Sequence, residues 1–559
     1  MLDMFSNPRS IAIIGASQNP QKLGYGVLAN LIQSGFKGDI YPINPKSKEI
    51  QGLPCYASVL DVPGPLDLVV IMIPARFVAS VLKESGQKGV KGAIVISAGF
   101  REAGPEGVKM GQELLDIARE YGMRIIGPNC LGVIDTLAPM NVTFADGMPT
   151  AGSIAFMSQS GALCTAILDY ALAEGIGFSR FVSLGNKADI DEEALLEAWR
   201  NDDHTNVIIA YIEGVNDGAK FIKVARDTAR IKPIIAVKSG RTASGSKAVS
   251  SHTGSLAGSD AAYDAAFKQA GVFRSETVEG LFDYSTAFAY QPLPKGRRVV
   301  IVTNAGGPGV MATDALERND LVLAELQPET ETVLAQVLPP AANIHNPVDV
   351  LGDARHDRYA TALDAALHDP GVDAAIVIVT PQTSTEIVGT AEAIIEVGKK
   401  TDKPILACWM GELKATAGIK VLAQNHIPNY LFPERAVAAL GAMFKYATWR
   451  QQPQAEIETF DVDKQAVSKL FASVRKDGRT TIGDAEAQAI LKAYGITTPK
   501  SVVSATPDEA VAACDENGYP VVMKIASPDI LYKSDVGGII VGVKNEKEAR
   551  AAFATLIER

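Results

Sequence analysis

Short continuous apolar runs along this chain alternate with longer stretches in which apolar positions recur every three or four residues. That alternation predicts parallel strands covered on both faces and joined by helices. Ser10-Ile-Ala-Ile-Ile-Gly-Ala-Ser17 is the first such run and ends in a glycine turn. A loop over 18–26 follows, then a helix from about Val27 to Gln33. Further strands are expected at 39–44, 66–73 and 92–97, and the segment 124–132 closes a first unit. A second unit opens with a strand over 152–157. Its helix begins at Ser158-Gln-Ser-Gly161, and strands follow at 180–184, 206–212 and 233–237. A third repeats the pattern: a strand at 298–303, a helix start at Asn304-Ala-Gly-Gly-Pro-Gly-Val310, and strands at 374–379 and 404–408. Asn346-Pro-Val-Asp-Val350 reads as a fixed turn. Residues 451–479 read as a charged connector. Beyond it lie a helix over 484–494 stopped by Gly495, a strand over 520–525, a loop over 533–538 and a strand over 539–543. Arg559 falls inside a helical pattern without a stop signal, which predicts that the sequence is a fragment or that the remainder of this last module lies elsewhere.

Composition narrows the class. Hydrophobic residues make up 47% and charged residues 21% of 559, as expected of several packed α/β domains. The net charge of −11 excludes a global basic field for nucleic acid or anionic membrane. A polyanion must therefore be held by local N–H groups and a few Lys or Arg. The five cysteines, Cys55, Cys130, Cys164, Cys408 and Cys514, show neither metal-ligand spacing nor a disulfide framework. The first residues lack a basic leader region, and no long apolar run is free of charge and turn residues. A soluble, cytoplasmic protein is expected, and no metal site can be assigned.

The candidate chemistry sits after strands. In open parallel sheets, ligands bind at the C-terminal strand edge. Lys238 to Asp260 reads as one long loop of Gly, Ser, Thr and Ala carrying a single imidazole, His252. Small residues let backbone N–H groups approach an anion, and a histidine there can carry a phosphoryl group covalently. The alternative is an idle surface histidine. Glu213 follows the strand over 206–212 and would hydrogen-bond a ring nitrogen of His252, or else cap a helix. Ser158 or Ser160 would cap the helix at Gly161, whose bare N–H groups suit an anion. At the end of the second strand stands Asn44-Pro45-Lys46, where an NAD enzyme would carry an acid. That argues against a dehydrogenase and for a phosphorylated adenosine near Lys46. Lys524 is placed to reach a nucleotide phosphate.

These residues carry a resemblance to the NDP-forming acyl-CoA synthetases, typified by ADP-forming acetyl-CoA synthetase and related to succinyl-CoA synthetase. Ser251-His-Thr-Gly-Ser-Leu-Ala-Gly258 resembles the phosphohistidine loop, and Tyr211-Ile-Glu-Gly-Val215 the segment carrying its partner glutamate. Ser158-Gln159-Ser160-Gly161 and Gly306-Gly307-Pro-Gly309 resemble the two helix starts that face the phosphohistidine. Gly127-Pro-Asn-Cys-Leu-Gly132 and Ile73-Pro74-Ala75 resemble CoA-domain segments. The resemblance implies an α/β chain in a fixed order. A Rossmann-like CoA-binding domain (1–140) leads. Two flavodoxin-like ligase domains (141–292 and 293–450), a linker (451–480) and the start of an ATP-grasp domain (481–559) follow. It implies that His252 and Glu213 are catalytic and that CoA is held by Gly15, Ala16, Ser17, Lys22, Gly24, Asn44, Pro45, Lys46, Ile73, Pro74 and Asn129. Lys524 and Lys533 would meet ATP, with Mg accompanying the nucleotide. The implied reaction joins an acid and CoA at the expense of ATP, with acetate the default acid and a homo-oligomer the expected assembly. A non-catalytic CoA or acyl-CoA sensor is the alternative, although such relatives often lose the histidine that is present here. One position departs from the pattern. Where many members carry a second relay histidine before Lys-Ser-Asp-Val-Gly-Gly, this chain has Tyr532.

Overall fold

The computed structural model describes residues 2–253, 259–453, 460–527, 529–530 and 532–559, without the side chains of 249–253. The chain divides into two units, Met1–Gln452 and Pro453–Arg559.

Three mainly parallel sheets build the first unit. The first has five strands in the order Asp39–Ile43, Ser10–Ile14, Leu68–Ile71, Gly92–Val95, Arg124–Ile126. All neighbours run parallel. Its central strand, Leu68–Ile71, is buried at every position, as a continuous apolar run requires when helices cover both faces. Each fully buried Ile or Val there contributes roughly 1.5–3 kcal/mol. The second sheet has seven strands, in the order Val272–Ser275, Ile234–Lys238, Val207–Ile212, Ala151–Ser158, Phe178–Ser183, Gly132–Asp135, Met140–Thr143. Its last two strands form an antiparallel hairpin on the Phe178–Ser183 strand. The hairpin comes directly after the first sheet's last strand, so the two sheets are joined with little intervening chain. Asn30 reinforces the join, donating to the carbonyls of Thr143 (2.8 Å) and Ala145 (2.7 Å). The third sheet runs Val322–Leu323, Arg298–Thr303, Ala374–Val379, Ile405–Trp409, with Val348–Asp349 extending the C-terminal end of Arg298–Thr303. Asn346 holds that extension. Its side chain accepts from Ile301 N (2.9 Å) and donates to Val299 O (2.8 Å) and Ala324 O (2.9 Å).

Several helices depart from expectation. The first long one spans Leu23–Gln33, not Val27–Gln33, and its opening turn packs on the glycine turn after Ser10–Ile14. A Cβ at Gly24 would lie 2.0 Å from Gly15 O, so this close approach needs glycine. The stretch expected as one long loop contains a helix, Ala243–Thr253. Thr242 Oγ1 accepts from Gly245 N (3.0 Å) and Ser246 Oγ donates to Gly240 O (2.8 Å), closing its first turn. Residues 254–258 lie outside the described residues.

In the second unit, the stretch read as a charged connector carries the helix Lys464–Lys476, capped by Asp463 and burying Val467 and Val474 on one face, two turns apart. The helices Asp484–Ala493, Pro507–Asn517 and Glu546–Glu558 accompany an antiparallel pair, Val521–Lys524 with Ile539–Val543. Among the described residues no helix is long and apolar enough to cross a membrane.

Candidate functional site

The C-terminal strand edges of the first two sheets share one cavity of about 1000 Å³. The first sheet supplies Met72, Ile73, Pro74, Ser97, Arg101 and Asn129. The second supplies Gln159, Ser160 and Gly161, then Gly185, Asn186 and Lys187, then Glu213 to Asn216. Each group sits just past a strand end. The tertiary structure thus brings Ile73, Pro74 and Asn129 onto one cavity with Gln159, Ser160, Gly161 and Glu213, residues up to 140 positions apart (73 to 213).

The docking of the two edges is specific. Loop 184–190 runs along the segment 125–128. Asn186 N donates to Pro128 O (2.8 Å), Ala188 N to Gly127 O (2.9 Å) and Ile190 N to Ile125 O (3.1 Å). Gly185 has φ +56°, and a Cβ there would lie 2.4 Å from the carbonyl oxygens of Pro128 and Asn129. Only glycine lets the two backbones pass this closely. The Arg124 guanidinium pairs with Asp189 at 2.9 Å beside the crossing.

Ser160 caps the helix Gly161–Glu174, its hydroxyl accepting from Leu163 N at 3.3 Å. That helix start lines the cavity with its first-turn N–H groups and the positive end of its dipole, roughly half a charge. Ser158 is fully buried and faces inward: its hydroxyl accepts from Ser160 N (3.0 Å) and donates to Ser160 O (3.0 Å). It shapes the turn and is not part of the cavity wall. Glu213 is 8% exposed and follows the Val207–Ile212 strand. His252 falls within Ala243–Thr253, but its side chain lies outside the described residues.

The remaining expected positions fall elsewhere on these edges. Gly15, Ala16, Ser17, Lys22, Gly24, Asn44, Pro45 and Lys46 surround the adjacent ends of Ser10–Ile14 and Asp39–Ile43, beside the cavity and not on its wall. Asn44 ties them together, donating to Ala16 O (2.8 Å) and accepting from Lys46 N (2.9 Å). The Lys22 and Lys46 side chains are exposed. Gly306, Gly307 and Gly309 begin the helix Gly306–Arg318 at the third sheet's edge and do not line the cavity. Lys524 and Lys533, in the second unit, both pair with Asp484, at 2.8 and 3.2 Å. Those pairs, Lys524 first, hold the Asp484 carboxyl below its ordinary range. Tyr532 is 75% exposed.

Sequence reading passed over Lys187 and Arg101 on the cavity wall and Glu192 behind it. Lys187 and Glu192 form an ion pair at 2.8 Å, with side chains 5% and 1% exposed. Arg101 lines the cavity, and its buried Nε has no hydrogen-bond partner among the described residues. Leu184-Gly-Asn-Lys187 stands just past the end of a strand, so the edge rule applied to Glu213 would have marked it too. Cys130 also lines the cavity. Burial pushes its thiol up to about 12, so it stays protonated and is no acyl acceptor at neutral pH.

Glu193, beside the ion pair, is 1% exposed, and one of its carboxylate oxygens has no partner among the described residues. Burial, then the nearby Asp191 charge, raises its carboxyl from 4.5 to about 7. A folded-state value above the unfolded one favours folding at low pH, and the benefit is lost as pH rises from about 4.5 through 7. Glu193→Gln is therefore expected to stabilise the protein at pH 8, where the buried carboxyl would otherwise be charged. Thermal melts across pH check this, because the gain must fade below about pH 5.

Doubly wound sheets whose C-terminal strand edges share one cavity define an α/β protein with a candidate ligand site between modules. Family models make the class specific. A CoA binding domain matches residues 9–136, a succinyl-CoA ligase like flavodoxin domain 151–288, a ligase-CoA domain 299–452 and an ATP-grasp domain 473–559. The 4-hydroxybutyrate–CoA ligase (ADP-forming) of Nitrosopumilus maritimus is 43% identical over 99% of this chain and 79% of its own length. Acetate–CoA ligase (ADP-forming) I of Archaeoglobus fulgidus is 42% identical over 98% of this chain and 79% of its own. The acetyl-coenzyme A synthetase 1 of Ca. Korarchaeum cryptofilum, solved with phosphate and ADP, superposes with a TM-score of 0.77. It is 41% identical over 80% of this chain and 97% of that one. The chain belongs to the ADP-forming acyl-CoA ligases.

Proposed function

We propose that this chain joins a small carboxylic acid to CoA with Mg·ATP as the energy source, releasing ADP and phosphate through phospho-His252 and an acyl phosphate. A carboxylate is a poor acyl donor because oxide is a poor leaving group. The imidazole of His252 attacks the γ-phosphorus of ATP and ADP departs. A carboxylate oxygen of the acid then takes the phosphoryl group, freeing the imidazole. The CoA sulfur attacks the carbonyl carbon of the acyl phosphate, and phosphate leaves. Glu213 orients the imidazole and offsets positive charge on its phosphorylated form. The helix start at Ser160 offsets the phosphoryl charge, and in this reading Gly306, Gly307 and Gly309 do so from the other side.

The observation that carries the reading is the shared cavity. Glu213 and the Ser160 helix start lie on the same wall system as Ile73, Pro74 and Asn129 of the CoA-binding module. A phosphoryl group and a thiol held there are within reach of each other. Acetate is the default acid. Relatives named for acetate and for 4-hydroxybutyrate are almost equally similar, so hydroxylated acids belong in the same panel. The reading takes 1–140, 141–292, 293–450 and 481–559 as modules, with Gly15, Ala16, Ser17, Lys22, Gly24, Asn44, Pro45 and Lys46 on CoA and Lys524 and Lys533 on ATP. It takes the enzyme as a cytoplasmic homo-oligomer.

The reverse half-reaction tests it without the nucleotide. Acetyl-CoA plus [32P]phosphate is expected to label the chain with a base-stable, acid-labile phosphate, the signature of phosphohistidine. Phosphate alone is expected to give none. Absence of label with every acyl-CoA in the panel overturns the proposal.

A further inference from the structure

Glu213 leaves the sheet at a point where the backbone loses its ladder. The last sheet bond is Ser239 N to Ile212 O (3.0 Å), so the N–H groups of 213, 214 and 215 must find other partners. Side chains from separate elements supply them. Gln159 Oε1 accepts from both Glu213 N (2.9 Å) and Gly214 N (3.0 Å). Gln159 Nε2 donates to Gly214 O at 2.8 Å and to the Glu192 carboxylate. Lys187 Nζ donates to both Glu192 oxygens (2.8 and 3.1 Å) and to Gly214 O. The Tyr263 hydroxyl, on the helix Asp260–Ala270 that follows the His252 segment, accepts from Val215 N at 2.9 Å.

We infer that Gln159, Lys187 and Glu192 are positioning residues that set where Glu213 stands, by clamping its backbone and that of Gly214. The inference rests on the reading of Glu213 given above. Three features support it. Gln159 makes four bonds, to Glu213, Gly214 and Glu192, so its amide is committed to the clamp. Lys187 takes the left-handed conformation, φ +43°, which a lysine adopts only where surrounding contacts compel it. A buried Lys–Glu pair is also a poor source of stability compared with apolar packing, so its place here answers a need for geometry. The Gln159 amide is a fork: one arm accepts from the two N–H groups and the other donates to the carbonyl they precede. No hydrocarbon of the same size reproduces that.

The test uses the full chain, acetyl-CoA and [32P]phosphate, reading the rate of protein labelling. Gln159→Leu is expected to slow labelling about 10- to 100-fold, as small misplacements of catalytic groups do, with the KM for acetyl-CoA changed by less than about twofold. In a Glu213→Gln background the same change is expected to add less than about twofold, because the two act through one group. Losses that multiply, or a raised KM in place of a reduced rate, overturn the inference. A normal rate for Gln159→Leu beside an impaired Glu213→Gln also overturns it and leaves the reading of Glu213 intact. A normal rate for Glu213→Gln overturns that reading and the inference with it. Should Gln159→Leu not fold, Lys187→Met/Glu192→Gln, which removes the charges as a pair, is expected to show the same non-additive loss.

Discussion

His252→Ala is expected to leave the chain unable to take up phosphate from acetyl-CoA and phosphate, and to lower acyl-CoA synthesis by more than about 10⁴-fold, as loss of a covalent nucleophile does. The reason is that no described imidazole stands at the cavity to inherit the role. The five histidines whose side chains are described do not line the cavity. His345 is hydrogen-bonded to Glu331 (2.6 Å), His356 to Glu386, and His368 to Asp364 O (2.7 Å). His426 is stacked on Tyr290, and His204 is exposed after the helix Glu192–Trp199. Cys130 reaches the cavity but remains a thiol. Label retained by His252→Ala would mean that the phosphate carrier is some other residue, and peptide mapping of the labelled chain would identify it.

Lys187→Met is expected to be the most destabilising single change in the cavity wall, at about 3–5 kcal/mol. Methionine fills much the same volume, so the loss is electrostatic. Glu192, 1% exposed, would lose its cationic partner and keep the Gln159 amide as a hydrogen-bond donor among the described residues. Removing one partner of a buried pair leaves a desolvated charge, whereas removing both is often neutral. Lys187→Met/Glu192→Gln should therefore recover most of the lost stability while the labelling rate stays low. Denaturant titrations of the three proteins measure the first quantity and phosphate labelling the second. A single variant as stable as the parent would show that Glu192 is solvated in solution.

The architecture was largely legible in local pattern. Continuous apolar runs such as Ser10–Ile14 and Ala374–Val379 can be satisfied only by strands covered on both faces, so their type follows from the residues themselves. The errors arose where local signals compete. The composition of 243–253 suits a loop as readily as a helix, and capping by Thr242 decides it. The helix Lys464–Lys476 was hidden by its charges, although Val467 and Val474 lie on one face.

What the sequence alone determined is therefore the set of strands, the glycine-rich helix starts, and the residue types able to carry a phosphoryl group and to pair with it. These depend on near neighbours in the chain. The tertiary structure alone decided that the ends of strands from two sheets meet on one cavity, that Lys187 and Glu192 pair beneath it, and that Gln159 holds the backbone of Glu213. Those facts depend on strand order and on the crossing of loop 184–190 over 125–128. Such contacts join residues tens of positions apart, so no periodicity along the chain records them.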